Sequence, residues 1–447
     1  MTSGAKTESG RPVSMARVVF TSLTASSIEW YDFFIYGTAA ALVFPKLFFA
    51  ADLPPAVAQL AAFSTFAVGF IARPVGGIVF GHFGDLAGRK RALVTAMMMM
   101  GLATTGVGLL PSYATIGVAA PVILILLRFL QGLAVGGQWG GAALIAIENA
   151  PVQRRGFYGS FAQMGVPAGV IAANLIFLIM GSLVAPEAFA AWAWRIPFLL
   201  SLLLVGLSLY AQLMLEDTIE FQALQSAGAK AAKRSSPILQ AIVKNPREIL
   251  LAAGSFVAAN GTFYIMITYA IAYTTGTLHV PKTLILWAVM LGSIVSAPIL
   301  PLTAALSDRF GRRGVFLAGA ALELIWAIPF FLLLNTGDFW AMVLALVGGL
   351  GFNSVMYGLQ AAMFTEMFST ELRYSGASLG YQIGAIFGGG FAPMIAVALY
   401  DRYHSAMAIS GYMAALCAVS FLSVLVLSET HKREHRAPAK TRAKAAA

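Results

Sequence analysis

Five ionisable side chains lie inside long apolar segments of this 447-residue chain. They are Glu29, Asp32, Arg73, Arg128 and Glu323. An ionised group in hydrocarbon costs several kcal/mol, so such residues are expected to face a cavity and to have partners. Guanidinium groups can bind an organic anion, and carboxyl groups can carry a proton. The chemistry to expect is therefore anion binding coupled to proton movement.

Glu29 and Asp32 are three residues apart and project from one face of a helix. In a low dielectric, two carboxylates this close favour protonation of one of them, unless an arginine compensates. If Arg128 is that arginine, a substrate that competes for it leaves Asp32 to take a proton. The alternative is a permanent salt bridge that only fastens two helices. For Glu29, which lies closer to the polar N-terminal tail, both interpretations stay open.

Arg128 opens a glycine-rich tract that runs to residue 142. Its planar guanidinium suits carboxylates. Gly132 and Gly136 are four residues apart, a spacing that predicts close contact between helices. The tract does not follow a strand, so it is not a dinucleotide-binding loop. Gln131 and Gln138 are predicted to line a polar cavity.

Further substrate contacts are predicted on both halves of the chain. Arg73 precedes Pro74, and it is either a ligand for a substrate carboxylate or a gate residue that satisfies freed backbone carbonyls. In the second half, neutral hydrogen-bonding side chains suit a hydroxylated or aromatic substrate, although each could equally serve packing. They are Asn260, Tyr264, Asn353, Tyr357, Gln360, Tyr381 and Gln382. Glu323 has no partner that the sequence identifies, and a functional role and a protonated packing role both stay open.

A short polar tract is repeated in the two halves. The first copy contains Gly81, Asp85, Gly88 and Arg89, and the second contains Asp308, Arg309, Gly311 and Arg312. Such a repeat in an apolar chain indicates internal duplication. Each Asp is expected to accept at the N-terminus of the next helix, and the cations to contact lipid headgroups and acidic residues. The tract is predicted to be a gating latch; the alternative is charge that only sets membrane topology.

The composition indicates a membrane protein. Only 11% of residues are charged and 59% are hydrophobic, against roughly 25% charged in soluble domains. The single cysteine, Cys417, excludes disulfides within the chain and argues against a zinc cluster, so no metal or cofactor is expected. The net charge of +10 comes from cations in loops, so nucleic-acid binding is not expected. The expected partners are a small substrate, protons and membrane lipid.

An all-α polytopic membrane protein with twelve transmembrane helices in two six-helix lobes is predicted, because twelve segments approach the roughly 20 apolar residues of a span. The predicted regions are a cytoplasmic N-terminal tail (1–18), an N-terminal lobe (19–215), a cytoplasmic linker (216–246), a C-terminal lobe (247–428) and a basic C-terminal tail (429–447). The polar N-terminal tail lacks a convincing cleavage site and is not expected to be a signal peptide.

The positions of the 29 Lys and Arg residues predict the orientation. Most fall in segments that share one side of the membrane if both termini are cytoplasmic, as the positive-inside rule requires. Four lie on the opposite side and two lie within spans. The four are Lys46, Arg195, Lys282 and Arg402, and the two are Arg73 and Arg128.

The repeated tract resembles the signature of the major facilitator superfamily, over essentially all twelve spans. Glu-Trp-Tyr-Asp-Phe (29–33), Ala-Arg-Pro-Val-Gly-Gly (72–77), the tract 128–142, Glu-Asn-Ala-Pro (148–151) and Trp-Arg-Ile-Pro-Phe (194–198) resemble its metabolite:proton symporter branch. The first span looks most like that of shikimate permeases. Two positions depart from the family pattern: Leu86, where a basic residue is usual, and Gln138, where a Glu is usual.

The resemblance implies proton-driven import of a small organic acid by alternating access, through a monomer in the inner (plasma) membrane of a bacterium. Related sugar–proton symporters pair an Asp of span 1 with an Arg of span 4, and the matching positions are Asp32 and Arg128. A proline or betaine symporter, a metabolite or drug efflux antiporter and a transport-inactive sensor remain alternatives. A membrane enzyme is not expected, because no nucleophile–base constellation appears.

Overall fold

The computed structural model describes residues 15–87, 89–148, 152–203, 206, 242–368 and 373–430, and these residues form helices and short connections. The first six long helices are α1 (Met15–Leu42), α2 (Pro55–Ala87), α3 (Arg89–Leu109), α4 (Ala119–Glu148), α5 (Arg155–Leu183) and α6 (described as Ala193–Leu203). The next six are α7 (Pro246–Gly276), α8 (Lys282–Phe310), α9 (Arg312–Leu334), α10 (Phe339–Met367), α11 and α12 (Ala406–Val426). Helix α11 comprises Arg373–Ala385, Ile386–Gly390 and Ala392–Tyr403.

Nine of the helices in the described residues are long and apolar enough to cross a bilayer. Helices α1, α3 and α6 occupy the other three predicted positions. Many large apolar side chains lie on the outside of the molecule, among them Leu102, Leu126, Leu302 and Ile325. In water this surface would be strongly unfavourable, whereas a hydrocarbon environment accommodates it. The structure therefore agrees with the membrane location that the composition predicted.

The helices pack as two bundles of six. In the N-lobe (α1–α6), α2 packs on α4, α1 on α5 and α3 on α4. In the C-lobe (α7–α12), α8 and α9 pack on α10, α7 packs on α11 and α12, and α9 packs on α12. The lobes meet where α5 contacts α8 and α10, α2 contacts α11, and α1 contacts α7. The predicted linker lies outside the described residues up to residue 241, so its boundaries stay predictions.

Helices α2 and α4 approach closely enough to bring two buried arginines together. Gly136 lies against the backbone of Arg73, and Gly132 lies against the carbonyl of Gly69. Gly76 meets the carbonyl of Leu133 in the same way, so a Cβ at any of these glycines would overlap backbone atoms. The four-residue glycine spacing predicted this contact.

Two helices of the C-lobe depart from regular α geometry. Helix α7 contains a π-helical turn at Ile265–Tyr269, and α11 contains one at Ile386–Gly390. In the second of these turns, Gly388 lies against Val257 of α7, about two turns before the π-helical turn of α7 itself. Single π turns within α-helices are frequent at functional sites. The turn in α11 reaches the other lobe, since Gly390 lies against Phe70 of α2.

Candidate functional site

Two buried guanidinium groups flank the ring of Phe33 on α1. The side chains of Arg73 and Arg128 are 1% and 0% exposed. The Cζ atom of Arg73 lies 4.4 Å from the centre of the Phe33 ring, and that of Arg128 lies 4.2 Å from it. A desolvated cation over an aromatic ring gains about 2 kcal/mol or more, which offsets part of the burial cost. Helix α1 therefore supplies the surface on which both cations rest.

Arg128 is enclosed within the N-lobe. Its Cζ atom lies 4.2 Å from the ring centre of Tyr36 and 4.9 Å from that of Phe66. Its Nη1 donates to Oε1 of Gln131 (3.2 Å), and Nε2 of Gln131 donates to Oγ1 of Thr104 (2.8 Å). Gln131 was predicted to line the substrate cavity, but its amide is used to tie Arg128 to α3. Nε and Nη2 of Arg128 have no hydrogen-bond partner among the described residues, and the guanidinium contributes positive charge to the site.

Arg73 faces the other lobe. Its guanidinium also contacts the ring of Phe70, with a Cζ-to-centre distance of 4.4 Å. From the C-lobe, the hydroxyl of Tyr264 lies beside it, and Tyr357 is within its electrostatic reach. The Tyr357 and Tyr381 hydroxyls are within hydrogen-bonding reach of each other. Nε and Nη2 of Arg73 have no hydrogen-bond partner among the described residues, so two donors remain for an anion.

The two acids of α1 have different neighbours. The carboxyl of Glu29 is half-buried, and Arg73 is the opposite charge that acts on it. Asp32 is 2% exposed and faces the Ser201 hydroxyl of α6, with Glu29 as its charged neighbour. Neither oxygen of Asp32 has a hydrogen-bond partner within the described part of the chain.

The predicted ion pair between Asp32 and Arg128 is not formed. The ion pairs of the described residues involve neither side chain. The reason is helix geometry: Phe33 and Tyr36 occupy the face of α1 that meets Arg128. Asp32 projects toward α6, as does its neighbour Tyr31, whose hydroxyl donates to the Pro197 carbonyl (2.9 Å).

The predicted C-lobe ligands divide into two groups. The Asn353 amide donates to the Ala259 carbonyl (2.9 Å) and to Oγ1 of Thr262 (3.2 Å). It therefore ties α10 to α7, and as a substrate ligand it would have to give up these bonds. Buried polar atoms without a hydrogen-bond partner in the described residues remain on Asn260, Gln360 and Gln382. These three, with the tyrosines, stay candidate ligands.

A small cavity lies between the lobes, where α5 meets α7, α8 and α10. It holds about 10 Å³, room for about one water molecule. Its polar lining consists of Ser293, Ser296, Asn353, Ser354 and Tyr357. The three serines were not predicted, although the three-residue spacing of Ser293 and Ser296 on α8 was a usable signal. Their hydroxyl oxygens can still accept from a ligand.

The second copy of the repeated tract joins the lobes at the end of α8. Oδ1 of Asp308 accepts from the backbone N–H of Gly156 (3.0 Å), and Oδ2 accepts from that of Phe157 (2.9 Å). Asp308 was predicted to accept at the next helix, α9. It accepts instead at the first turn of α5 in the opposite lobe, where the helix dipole also favours an anion. The contact closes the predicted cytoplasmic side.

Arg312 organises the C-lobe half of this latch. Its Nη1 lies 2.7 Å from Oδ1 of Asp308, and its Nη2 lies 3.0 Å from Oε1 of Glu366. Gly311 has a φ of 97°, a conformation that favours glycine. The carboxylate of Glu429 accepts from the backbone N–H groups of Arg312 (2.9 Å) and Arg313 (3.2 Å) at the start of α9.

Other members of the repeated tracts do not join this network or cannot be assessed. Arg309 is exposed. In the first copy, Gly88 and the side-chain positions of Gly81, Asp85 and Arg89 lie outside what the structure describes. The same holds for the side chain of Gln138. Their predicted roles stay predictions.

A second contact between the lobes lies at the opposite end of α8. The Nζ atom of Lys282, the first residue of α8, lies 3.3 Å from the centre of the Phe189 ring, which belongs to the N-lobe. With the Asp308 latch at the other end of α8, both ends of the α5–α8 contact are closed. The small cavity lies between these two contacts.

Comparison with known proteins identifies the family. The family model described as "Sugar (and other) transporter" matches residues 18–437. The chain belongs to this transporter family. The transporter is 39% identical over 421 residues to the shikimate transporter of Escherichia coli K12, covering 93% of this chain and 95% of that protein. It is 40% identical over 423 residues to the inner membrane metabolite transport protein YhjE of the same organism, covering 93% and 95%.

More distant matches agree. The proline/betaine transporter of Salmonella typhimurium is 32% identical over 428 residues, with 94% of this chain and 84% of that protein covered. Among solved structures, the partially occluded inward-open xylose transporter XylE of E. coli superposes with a TM-score of 0.73 at 15% identity, covering 93% of this chain and 98% of that one. The predicted major facilitator fold is confirmed, and the protein is a multi-pass membrane transporter, not an enzyme.

Proposed function

We propose that this transporter is a proton-coupled symporter that imports a small organic acid by alternating access. The observation that supports the proposal is Arg73, a buried cation with two unpaired donors between the lobes. A carboxylate is the natural ligand for such a guanidinium. We place the transporter in the inner membrane of a bacterium, with both termini in the cytoplasm.

The charges of the N-lobe site explain how a proton and an anion are linked. Arg73 and Arg128 supply two positive charges, and Glu29 and Asp32 supply two negative charges when both are ionised. An unpaired carboxylate as buried as Asp32 is stabilised by taking a proton. The site then has one net positive charge, and a substrate monoanion at Arg73 restores neutrality.

Only neutral forms of the site are expected to change conformation easily, because closing the lobes around an uncompensated charge costs several kcal/mol. The two neutral forms are the empty site with Asp32 ionised and the loaded site with Asp32 protonated and the anion bound. The protonated empty site carries one positive charge, and the unprotonated loaded site carries one negative charge. Because these two charged forms reorient slowly, the substrate and the proton cross the membrane together.

The polar groups around Arg73 suggest the kind of acid. Tyr264 lies beside the guanidinium, and the serines of the small cavity lie on the C-lobe side with Tyr357. These groups can hydrogen-bond the hydroxyls of a hydroxylated carboxylate, and the rings of Trp30 and Phe70, which contact Arg73, can pack against an apolar part of the same molecule. The cavity must widen to admit such a molecule, so the bound state requires an opening between the lobes. The similarity to a shikimate transporter makes shikimate the first probe.

The test is uptake by the purified transporter in proteoliposomes. Labelled shikimate, α-ketoglutarate, citrate, proline and betaine are supplied under an imposed inward proton gradient. We expect accumulation of a carboxylate without fixed positive charge. Because a monoanion entering with one proton moves no net charge, the pH gradient should drive uptake at about 1.36 kcal/mol per pH unit, and a voltage of ~100 mV should add nothing.

Three results would contradict the proposal. Accumulation of only proline or betaine would favour a compatible-solute carrier. Accumulation that occurs only under an outward proton gradient, so that protons leave as the substrate enters, would favour an efflux antiporter. A lack of flux for any acid, in protein that still binds one, would favour a sensor.

A further inference from the structure

Glu323 on α9 is a buried carboxyl that the proposed transport cycle does not use. It is 0% exposed and lies in the core of the C-lobe. Its Oε1 shares a hydrogen bond with the Thr262 hydroxyl of α7, and Nδ2 of Asn353 on α10 lies 3.4 Å from the same oxygen. The carboxyl therefore stands where three helices meet.

The hydrogens available around Thr262 distinguish the ionised form of the Glu323 carboxyl from the protonated form. The Thr262 hydroxyl has one hydrogen, and two oxygens lie in reach of it: the Ala258 carbonyl at 2.8 Å and Oε1 of Glu323. The two amide hydrogens of Asn353 go to the Ala259 carbonyl and to Thr262. If Glu323 is ionised, Thr262 must leave one of its two oxygen contacts without a hydrogen.

A protonated Glu323 supplies the hydrogen that the two oxygen contacts of Thr262 lack. Its O–H donates to Oγ1 of Thr262, and the Thr262 O–H then donates to Ala258. In either form Oε2 has no donor in the described residues, and this costs a charged carboxylate oxygen more than a neutral carbonyl oxygen. The ion pairs of the described part of the chain do not include Glu323, and the titratable group that faces it from α12 is the thiol of Cys417. An ionised carboxylate in such surroundings is strongly unfavourable.

We propose that Glu323 is a neutral acid that acts as a positioning residue for the transport site, by donating a hydrogen bond that fixes α7 at Thr262. Thr262 lies between Asn260 and Tyr264, and the π-helical turn follows directly. Asn353, the second partner, also lines the small cavity. The effect on substrate binding rests on the proposed function, whereas the protonation state does not.

The first test is infrared spectroscopy of the purified full-length transporter. A protonated carboxylic acid has a carbonyl stretching band that a carboxylate lacks. We expect the difference spectrum between wild type and Glu323→Gln to show loss of one such band at neutral and at mildly alkaline pH. Glu366→Gln is the matched control, because Glu366 is ion-paired with Arg312 and should lose a carboxylate band instead. Loss of a carboxylate band in Glu323→Gln would overturn the proposal.

The second test is transport. Gln presents an N–H where the neutral acid presents its O–H, so Glu323→Gln should keep KM and the pH profile of uptake within about twofold of wild type. Thr262→Val keeps the side-chain volume but removes the acceptor, and should raise KM roughly tenfold with an unchanged pH profile. Thermal unfolding checks that both variants fold. A shifted pH profile in Glu323→Gln, or a wild-type KM in Thr262→Val, would contradict the proposal. Failure of the proposed function would appear as absent flux with the infrared result intact.

Discussion

The latch formed by Asp308 should control which side of the transporter is open. Asp308→Asn keeps the size and shape of the side chain. The amide has one acceptor oxygen where the carboxylate has two, so one of the two bonds to Gly156 and Phe157 is lost. The ion pair with Arg312 is lost as well. Arg312 keeps Glu366 and the Ser307 hydroxyl, so the guanidinium stays paired in the C-lobe.

The size of the effect follows from these contacts. A hydrogen bond to a charged group contributes about 1.5–3 kcal/mol. The ion pair between Asp308 and Arg312 lies within the C-lobe, so its loss does not by itself favour the closed or the open state. The hydrogen bond lost between the lobes stabilises the state closed on the Asp308 side by about 1.5–3 kcal/mol, so the substitution should shift the equilibrium toward the open state by a factor of roughly 10 to 150.

The assay is a distance distribution between two spin labels in lipid bilayers. Gln153→Cys and Gly314→Cys place labels on opposite lobes at this end of the molecule, in a Cys417→Ala background. Gln153 is exposed, and a Cβ at Gly314 meets nothing within 4 Å. The distance between the two labels should be mainly short in the protein that keeps Asp308 and mainly longer in the Asp308→Asn variant.

Asp338→Asn is the matched control. Asp338 also accepts from a backbone N–H at a helix N-terminus, that of Ala341 (2.9 Å), but the bond lies within α10 and does not join the lobes. It should leave the distances unchanged. If Asp308→Asn also leaves them unchanged, Asp308 does not hold the lobes together.

Three further substitutions test the site. Arg73→Lys keeps the charge but loses the planar guanidinium that binds a carboxylate through two donors. The KM for the acid, measured by counterflow exchange, should therefore rise by roughly 30-fold or more. Arg195→Lys is the control far from the site. Glu29→Gln gives the site one net positive charge before any proton binds, so substrate binding should lose its dependence on pH; binding that stays pH-dependent would contradict the charge argument. Gly136→Ala places a Cβ against the Arg73 backbone, so the melting temperature should fall by several degrees, whereas Gly411→Ala, where a Cβ meets nothing within 4 Å, should not change it.

The sequence predicted the architecture well for physical reasons. Spans follow from apolar length, and close helix packing follows from glycine spacing, as Gly132 and Gly136 show. The buried charges were also identifiable, because the cost of burying Arg73 and Arg128 makes them conspicuous in an apolar segment. These are local properties that need no knowledge of helix rotation.

Pairings between helices were harder to predict, because they depend on rotation about each helix axis. Asp32 and Phe33 are adjacent, yet one faces α6 and the other faces Arg73 and Arg128. A shift of about 100° per residue therefore decides whether an arginine meets a carboxylate or a ring. The same limit applies to Asp308, whose partners Gly156 and Phe157 lie in the other lobe and are distant in sequence.

In the proposed cycle, protonation of Asp32 creates the charge that an anionic substrate neutralises. The most direct measurement is proton uptake on substrate binding, obtained by calorimetry in buffers of different ionisation enthalpy with shikimate, or with whichever acid proves to be transported. At a pH where the empty site is unprotonated, wild type should take up about one proton per bound anion. Asp32→Asn should bind the anion and take up none. Equal proton uptake by the two proteins would show that the coupled proton resides elsewhere.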